Sequence, residues 1–180
     1  MQGDDMIEIT LDDRALRAAL DRLRSRVEDT GPAMHDIGQT LMERARRRFA
    51  TSTGPDGQAW EPNAPATIAA YLGRYGGSYK KDGSLSKRGA ARAAGKKPLI
   101  GESKQLQNIH YAAGRDWAEV GSSRIYAAIH QLGGQAGRGK SVTIPARPFL
   151  PVTQDGQWIG ADDRAAILDI LSRWIEGRPL

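Results

Sequence analysis

Residues Gly133 to Val152 read GGQAGRGKSVTIPARPFLPV, and the reading of this stretch decides between two folds. It contains Gly134-Gln135-Ala136-Gly137-Arg138-Gly139-Lys140-Ser141, a formal match to the phosphate-binding pattern G-x-x-x-x-G-K-[ST]. That loop works where it follows a buried strand and opens a helix, because backbone N–H groups and the helix dipole then converge on the phosphates. Here the preceding residues, Ile125 to Leu132, have helical character. The following Ser141-Val142-Thr143-Ile144-Pro145 is a β-branched run stopped by proline. No helix N-terminus is available, and no apolar strand ends in an acid that would hold magnesium. Gly133 to Lys140 is therefore a flexible connection between a helix and a strand over Val142–Ile144, and a nucleotide-binding α/β fold is set aside.

Working outward, Ser123 is placed to cap the short helix through Ile125, Tyr126, Ala128, Ile129 and Leu132, which stops at Gly133-Gly134. Before it, Leu106–Ala112 and Trp117–Gly121 predict two strands joined by a turn at Gly114-Arg115-Asp116. After it, Asp162 caps a helix whose Ala166, Ile167, Ile170, Leu171, Trp174 and Ile175 form an apolar stripe. Toward the N-terminus, Ile7 and Ile9 alternate with polar neighbours as a short strand. Asp12 or Asp13 then caps a helix to about Val27, with Leu16, Leu20, Leu23 and Val27 on one face. Gly31-Pro32 opens a second helix to Phe49, with Met34, Ile37, Leu41, Ala45 and Phe49 inward. Arg44, Arg46, Arg47 and Arg48 crowd its last turn, where cations complement the dipole; nucleic-acid contact is the other reading. Pro55-Asp56-Gly57 is a turn, Trp60 a plug laid back on the core, and Pro65–Leu72 a short helix.

From Gly73 to Pro98 the character changes. Arg74, Lys80, Lys81, Lys87, Arg88, Arg92, Lys96 and Lys97 stand against the single acid Asp82, with little apolar content and no period. Such a segment buries too little surface to offset its ordering entropy, so a mobile basic loop at about 73–98 is expected. With Tyr71, Tyr75 and Tyr79 at its start, it is suited either to ordering against a partner subunit or to stacking on single-stranded nucleic acid.

The whole chain has 180 residues and a net charge of +5, enough for one domain spanning 1–180. The basic balance suits an acidic partner or simply solubility. There is no cysteine, which removes disulfides, thiol nucleophiles and Cys-based zinc sites. The acidic start MQGDDMIEITLDD does not read as a signal peptide. No apolar run approaches the ~18–20 residues that cross a bilayer, so no membrane association and a cytoplasm-like compartment are expected. His35, His110 and His130 lack a partner histidine at helical spacing, and His130 reads as a structural ring fastening the Gly-Gly stop. Asp4-Asp5, Asp12-Asp13 and Asp162-Asp163 sit at chain or helix starts, where capping and the dipole account for them. No G-x-S-x-G nucleophile turn is present. No catalytic, metal or cofactor site is expected.

Tyr126-Ala127-Ala128-Ile129-His130-Gln131-Leu132-Gly133-Gly134, followed by Ile144-Pro145-Ala146-Arg147-Pro148-Phe149-Leu150, resembles the phage virion morphogenesis family, the tail-completion or neck proteins of Mu-like and related tailed phages. The Arg-rich helix ending at Phe49, the Ser52–Pro62 turn with its Trp, Pro98-Leu99-Ile100 and Val120-Gly121-Ser122 match in order. The resemblance implies a non-enzymatic structural protein of the virion tail or neck, assembled in the host cytoplasm. It would act in tail completion and head–tail joining as a ring of copies, against tail tube and head–tail connector proteins. DNA would pass non-specifically through a central channel. The alternative is a non-specific nucleic-acid-binding module using the 73–98 arm. Interface candidates are Tyr126, His130, Arg147 and Phe149, with Lys80, Lys81, Lys87 and Arg88 on the arm. Arg147, held between prolines, is suited to a bidentate grip on a carboxylate or a carbonyl, with Phe149 and Leu150 packing under the C-terminal helix. The expected fold is α+β: an antiparallel sheet with N-terminal helices and a C-terminal helix packed on it, plus the long basic loop.

Overall fold

A computed structural model describes residues 12–153, 155–158 and 160–180. The expected strand at Ile7 and Ile9 lies outside these residues, as does the Asp4-Asp5 pair. In chain order the elements are α1 (Arg14–Glu28), α2 (Gly31–Thr51), α3 (Pro65–Gly73), α4 (Lys87–Gly95), β1 (His110–Ala113), β2 (Ala118–Gly121), α5 (Ala127–Leu132), β3 (Gly134–Ala136), β4 (Val142–Ile144) and α6 (Ala161–Glu176). The fold is α+β, and its strands form two separate antiparallel hairpins, β1–β2 and β3–β4.

Helix α2 organises the molecule because it packs against β1, β2 and α6 together. Its i, i+4 spacing puts Ala33 and Ile37 at one end, where they close on Ile170 of α6. At the other end Ala45 and Phe49 meet Trp60, Leu106, Ile109, Ala127 and Phe149 in the larger core cluster. Trp60 is the plug its sequence context predicts. Its ring lies edge-on to Phe49 at 5.5 Å and its Nε1 donates to the Pro148 carbonyl at 3.0 Å. The Pro-Asp-Gly turn forms as well: Gly57 N–H donates to Gly54 O, Gly57 takes φ 79°, and Thr53 bridges Ala59.

Several expectations are corrected. Phe149 packs on Phe49, not under α6, whose buried apolar contact is Ile170. Ser123 does not cap α5, which starts later, at Ala127, and leaves Ile125 fully in solvent. Asp162 lies inside the first turn of α6, whose N-cap is Gly160. Asp13 holds the N-cap position of α1, but its carboxylate pairs with Arg17 instead of a backbone N–H. Gly133–Lys140 is part of a hairpin: β3 pairs with β4 in register Gly134↔Ile144. Leu106 sits in a 3-10 turn, and β1 begins only at His110.

The basic stretch 73–98 holds regular structure where none was expected. Tyr79 bridges Leu85 across a small turn, and α4 follows with Ser86 as a working N-cap, its Oγ accepting from Gly89 N–H at 3.0 Å. The charges hid an alanine-rich run, KRGAARAAG, of good helix propensity. Gly89 is required because a Cβ there would stand 2.0 Å from the Ser78 carbonyl oxygen.

Helix α1 is amphipathic as its spacing dictates, yet none of its residues is buried. Among the described residues, it is fastened to the body at its C-terminal end. Trp174 Nε1 donates to Arg26 O at 2.9 Å, and Arg115 of the β1–β2 turn donates to Glu28 O.

Candidate functional site

The two elements that carry the family resemblance lie against each other. The backbone N–H of Arg147 donates to His130 O at 2.8 Å. Beside that bond the Gln131 side chain, 7% exposed, uses its whole hydrogen-bonding capacity. Its Oε1 accepts from the N–H groups of Phe149 and Leu150, and its Nε2 donates to the carbonyls of Leu150 and Val152, all at 2.9 Å. One glutamine thus replaces a missing β-strand for the segment 149–152. Gly133 permits the approach. It sits at φ 75°, and a Cβ there would lie 2.9 Å from Ala146 N and 3.2 Å from Ile144 O.

Arg147 makes the bidentate grip its setting suggested, and the acceptors are carbonyls. Nε donates to Glu61 O and a terminal nitrogen to Pro62 O, both at 2.8 Å. The Pro145–Pro148 frame fixes the backbone, and the planar fork then ties the 144–150 segment to the Trp60 loop. Arg147 is 6% exposed and Phe149 1%, so both serve inside the fold. Of the other candidates, Tyr126 and His130 reach the surface and stack edge-on with centroids 6.1 Å apart. They line an open cleft of about 430 Å³ with Arg147, Lys96, Lys97 and Glu61. His130 is half-buried. Burial first, and the Arg147 charge second, hold its imidazole below the ordinary histidine value. Its Nδ1 is buried without a partner among the described residues.

Lys80, Lys81, Lys87 and Arg88 are exposed and lie apart from this cleft, at the turn after Tyr79 and in the first turn of α4. No carboxylate pairs with them among the described residues. Other cations of the arm are used internally. Arg92 bonds Gly76 O and lies over Tyr75, Lys96 lies over Tyr71 at 5.1 Å, and Lys97 reaches Ala50 O. Tyr75 donates to Glu102 at 2.9 Å, and that hydrogen bond raises its hydroxyl above the usual tyrosine range.

The polar centre that sequence reasoning missed is Asp163. Its carboxylate is fully buried and accepts from Arg44 Nε at 2.7 Å and from Arg48, while Arg48 also donates to Phe149 O at 2.8 Å. Dipole arguments explained both the arginines at the end of α2 and the acid at the start of α6, so nothing local signalled their pairing. The glycine-rich match to a phosphate loop is answered by the hairpin. Its turn at Arg138–Lys140 leads into strand β4, with no helix N-terminus to receive phosphate. No cluster of three metal-ligating side chains occurs among the described residues. No described helix is long and apolar enough to cross a membrane.

Comparison with known proteins adds a lineage. Residues 11–176 match the model of the phage virion morphogenesis family. The chain is 30% identical over 149 residues to the Mu-like prophage FluMu G protein 2 of Haemophilus influenzae, covering 82% of this chain and 86% of that protein. It is also 25% identical over 154 residues to a protein of Escherichia phage Mu provisionally named capsid assembly protein G, covering 84% and 86%. No solved structure matches it.

Proposed function

The chain belongs to the phage virion morphogenesis family, and from that membership we propose that it acts in tail completion and head–tail joining, as one copy in a ring, without catalysing a reaction. The observation that carries this reading is the family match across 11–176, whose described elements pack around α2. The resembling motifs support it chemically, since Gln131, Arg147 and Gly133 are spent on building a rigid body and none is left to attack or protonate a substrate. The phage Mu relative's name, a capsid assembly protein, fits a position at the head-proximal end of the tail. Rings close through heterologous contacts, with a different surface on each side of the subunit. Exposed cations at Lys80, Lys81, Lys87 and Arg88 suit a channel through which DNA passes, lowering its repulsion without reading sequence.

The test is complementation. Purified protein added to heads and tails from a lysate lacking it restores joined, infectious particles. Failure to restore them, with the protein folded, contradicts the role. The same four free cations favour a second reading, a non-specific nucleic-acid-binding module. Binding of generic duplex by the isolated chain, falling steeply with salt and lost on neutralising those residues, would establish that instead.

A further inference from the structure

On α1, Leu16, Leu20, Leu23 and Val27 are 39–61% exposed. Their 4-3-4 spacing is a strict two-heptad seam, the pattern that calls for a facing helix. The residues flanking that seam are Arg17, Ala19, Arg24 and Arg26. The helix carries five arginines against two acids, Asp21 and Glu28. A second α1 laid on the first would oppose arginine to arginine, so the facing helix has to carry acids.

The chain offers one. Ala161, Ala165, Leu168, Ser172 and Ile175 lie along the outward face of α6 at the same heptad spacing, all of them exposed. Beside this stripe stand Asp162, Asp169 and Glu176, with Arg164 as the one exposed cation among them. The two helices are 15 and 16 residues long, about 23 Å each, so the stripes match in length. Within one chain, the hydrogen bonds between α1 and α6 involve only Arg26, Trp174 and Ile175 at their C-terminal ends.

We propose that the apolar stripe of α1 in one copy docks on the outward stripe of α6 in a second copy. With the helices antiparallel and Leu20 against Leu168, Arg17 lies against Asp169 and Arg24 against Asp162, exchanging the in-chain partners Asp13, Glu28 and Arg173 for contacts between copies. The contact is heterologous, since each subunit offers the α1 stripe to one neighbour and the α6 stripe to another, and it propagates from copy to copy until rotation closes it. This deepens the ring reading above and rests on it.

The chain contains no cysteine, so single cysteines report the contact directly. Leu20→Cys and Leu168→Cys proteins are mixed and oxidised. A disulfide dimer that needs both variants is expected, with little from either alone. In parallel, Arg17→Glu with Arg24→Glu is expected to weaken self-association by at least about tenfold. Adding Asp162→Lys and Asp169→Lys to the same chain should restore it. A dimer from Leu20→Cys alone, association unmoved by charge reversal, or a protein that stays monomeric at its solubility limit overturns the proposal. So does an α1 stripe that inserts into anionic vesicles instead. The complementation readout keeps the two ideas apart. A monomeric chain that still restores joined particles refutes only this interface, and a cross-linked ring that restores nothing refutes only the role.

Discussion

Replacing Asp163 by alanine tests the polar heart of the fold. The carboxylate has no solvent exposure, the Arg48 side chain is 10% exposed and the Arg44 side chain 30%. Removing the acid leaves the Arg48 charge buried with only the Phe149 carbonyl as partner, whereas Arg44 can turn toward water. Deleting one member of a buried ion pair costs about 3–5 kcal/mol. At this chain length that lowers the thermal midpoint by roughly 10–15 °C, since each kcal/mol is worth a few degrees. The neighbouring Asp162 is exposed and in the same first turn. Asp162→Ala gives up only a dipole interaction of about 0.3–1 kcal/mol. Urea and thermal unfolding followed by circular dichroism compare the two. If Asp163→Ala unfolds within about 1 kcal/mol of the parent, or Asp162→Ala costs as much as Asp163→Ala, the buried triad is not what joins α2 to α6.

Gln131→Glu keeps the shape but removes the donor, setting a carboxylate against the carbonyls of Leu150 and Val152. A loss of about 2–4 kcal/mol is expected in urea unfolding. Arg147→Lys surrenders the two-carbonyl fork and should cost about 1–2 kcal/mol, where an exposed Arg→Lys costs almost nothing. Gly133→Ala forces a Cβ onto the 144–146 backbone at a positive φ, and a loss of about 1–3 kcal/mol is expected. The His130 imidazole is held below its ordinary value, so the unfolded chain takes up that proton first as pH falls. Stability therefore drops as pH goes below about 6.5, and that part of the pH dependence should vanish in His130→Gln; an unchanged profile contradicts it.

What the sequence disclosed follows the range of its signals. Ile37, Ala45 and Phe49 were readable because helical period is a local pattern, and Trp60 because a tryptophan after a Pro-Asp-Gly turn has few other uses. Arg147 was readable as a bidentate group because its prolines are adjacent in the chain. Its acceptors, 85 and 86 residues away, were not. Asp163 and Gln131 escaped for the same reason: a charge at a helix end and a polar residue in a short helix both have sufficient local explanations. In α4 the basic composition outweighed an alanine-rich helix signal. Spacing in α1 fixed which residues share a face, while its proposed cover came into view only with the exposed stripe and flanking acids of α6.

The account rests most directly on what virions look like without this protein. Electron micrographs of particles from phage carrying a null allele should show DNA-filled heads beside tails that are unjoined or overlong. Intact, joined virions in normal yield would contradict it.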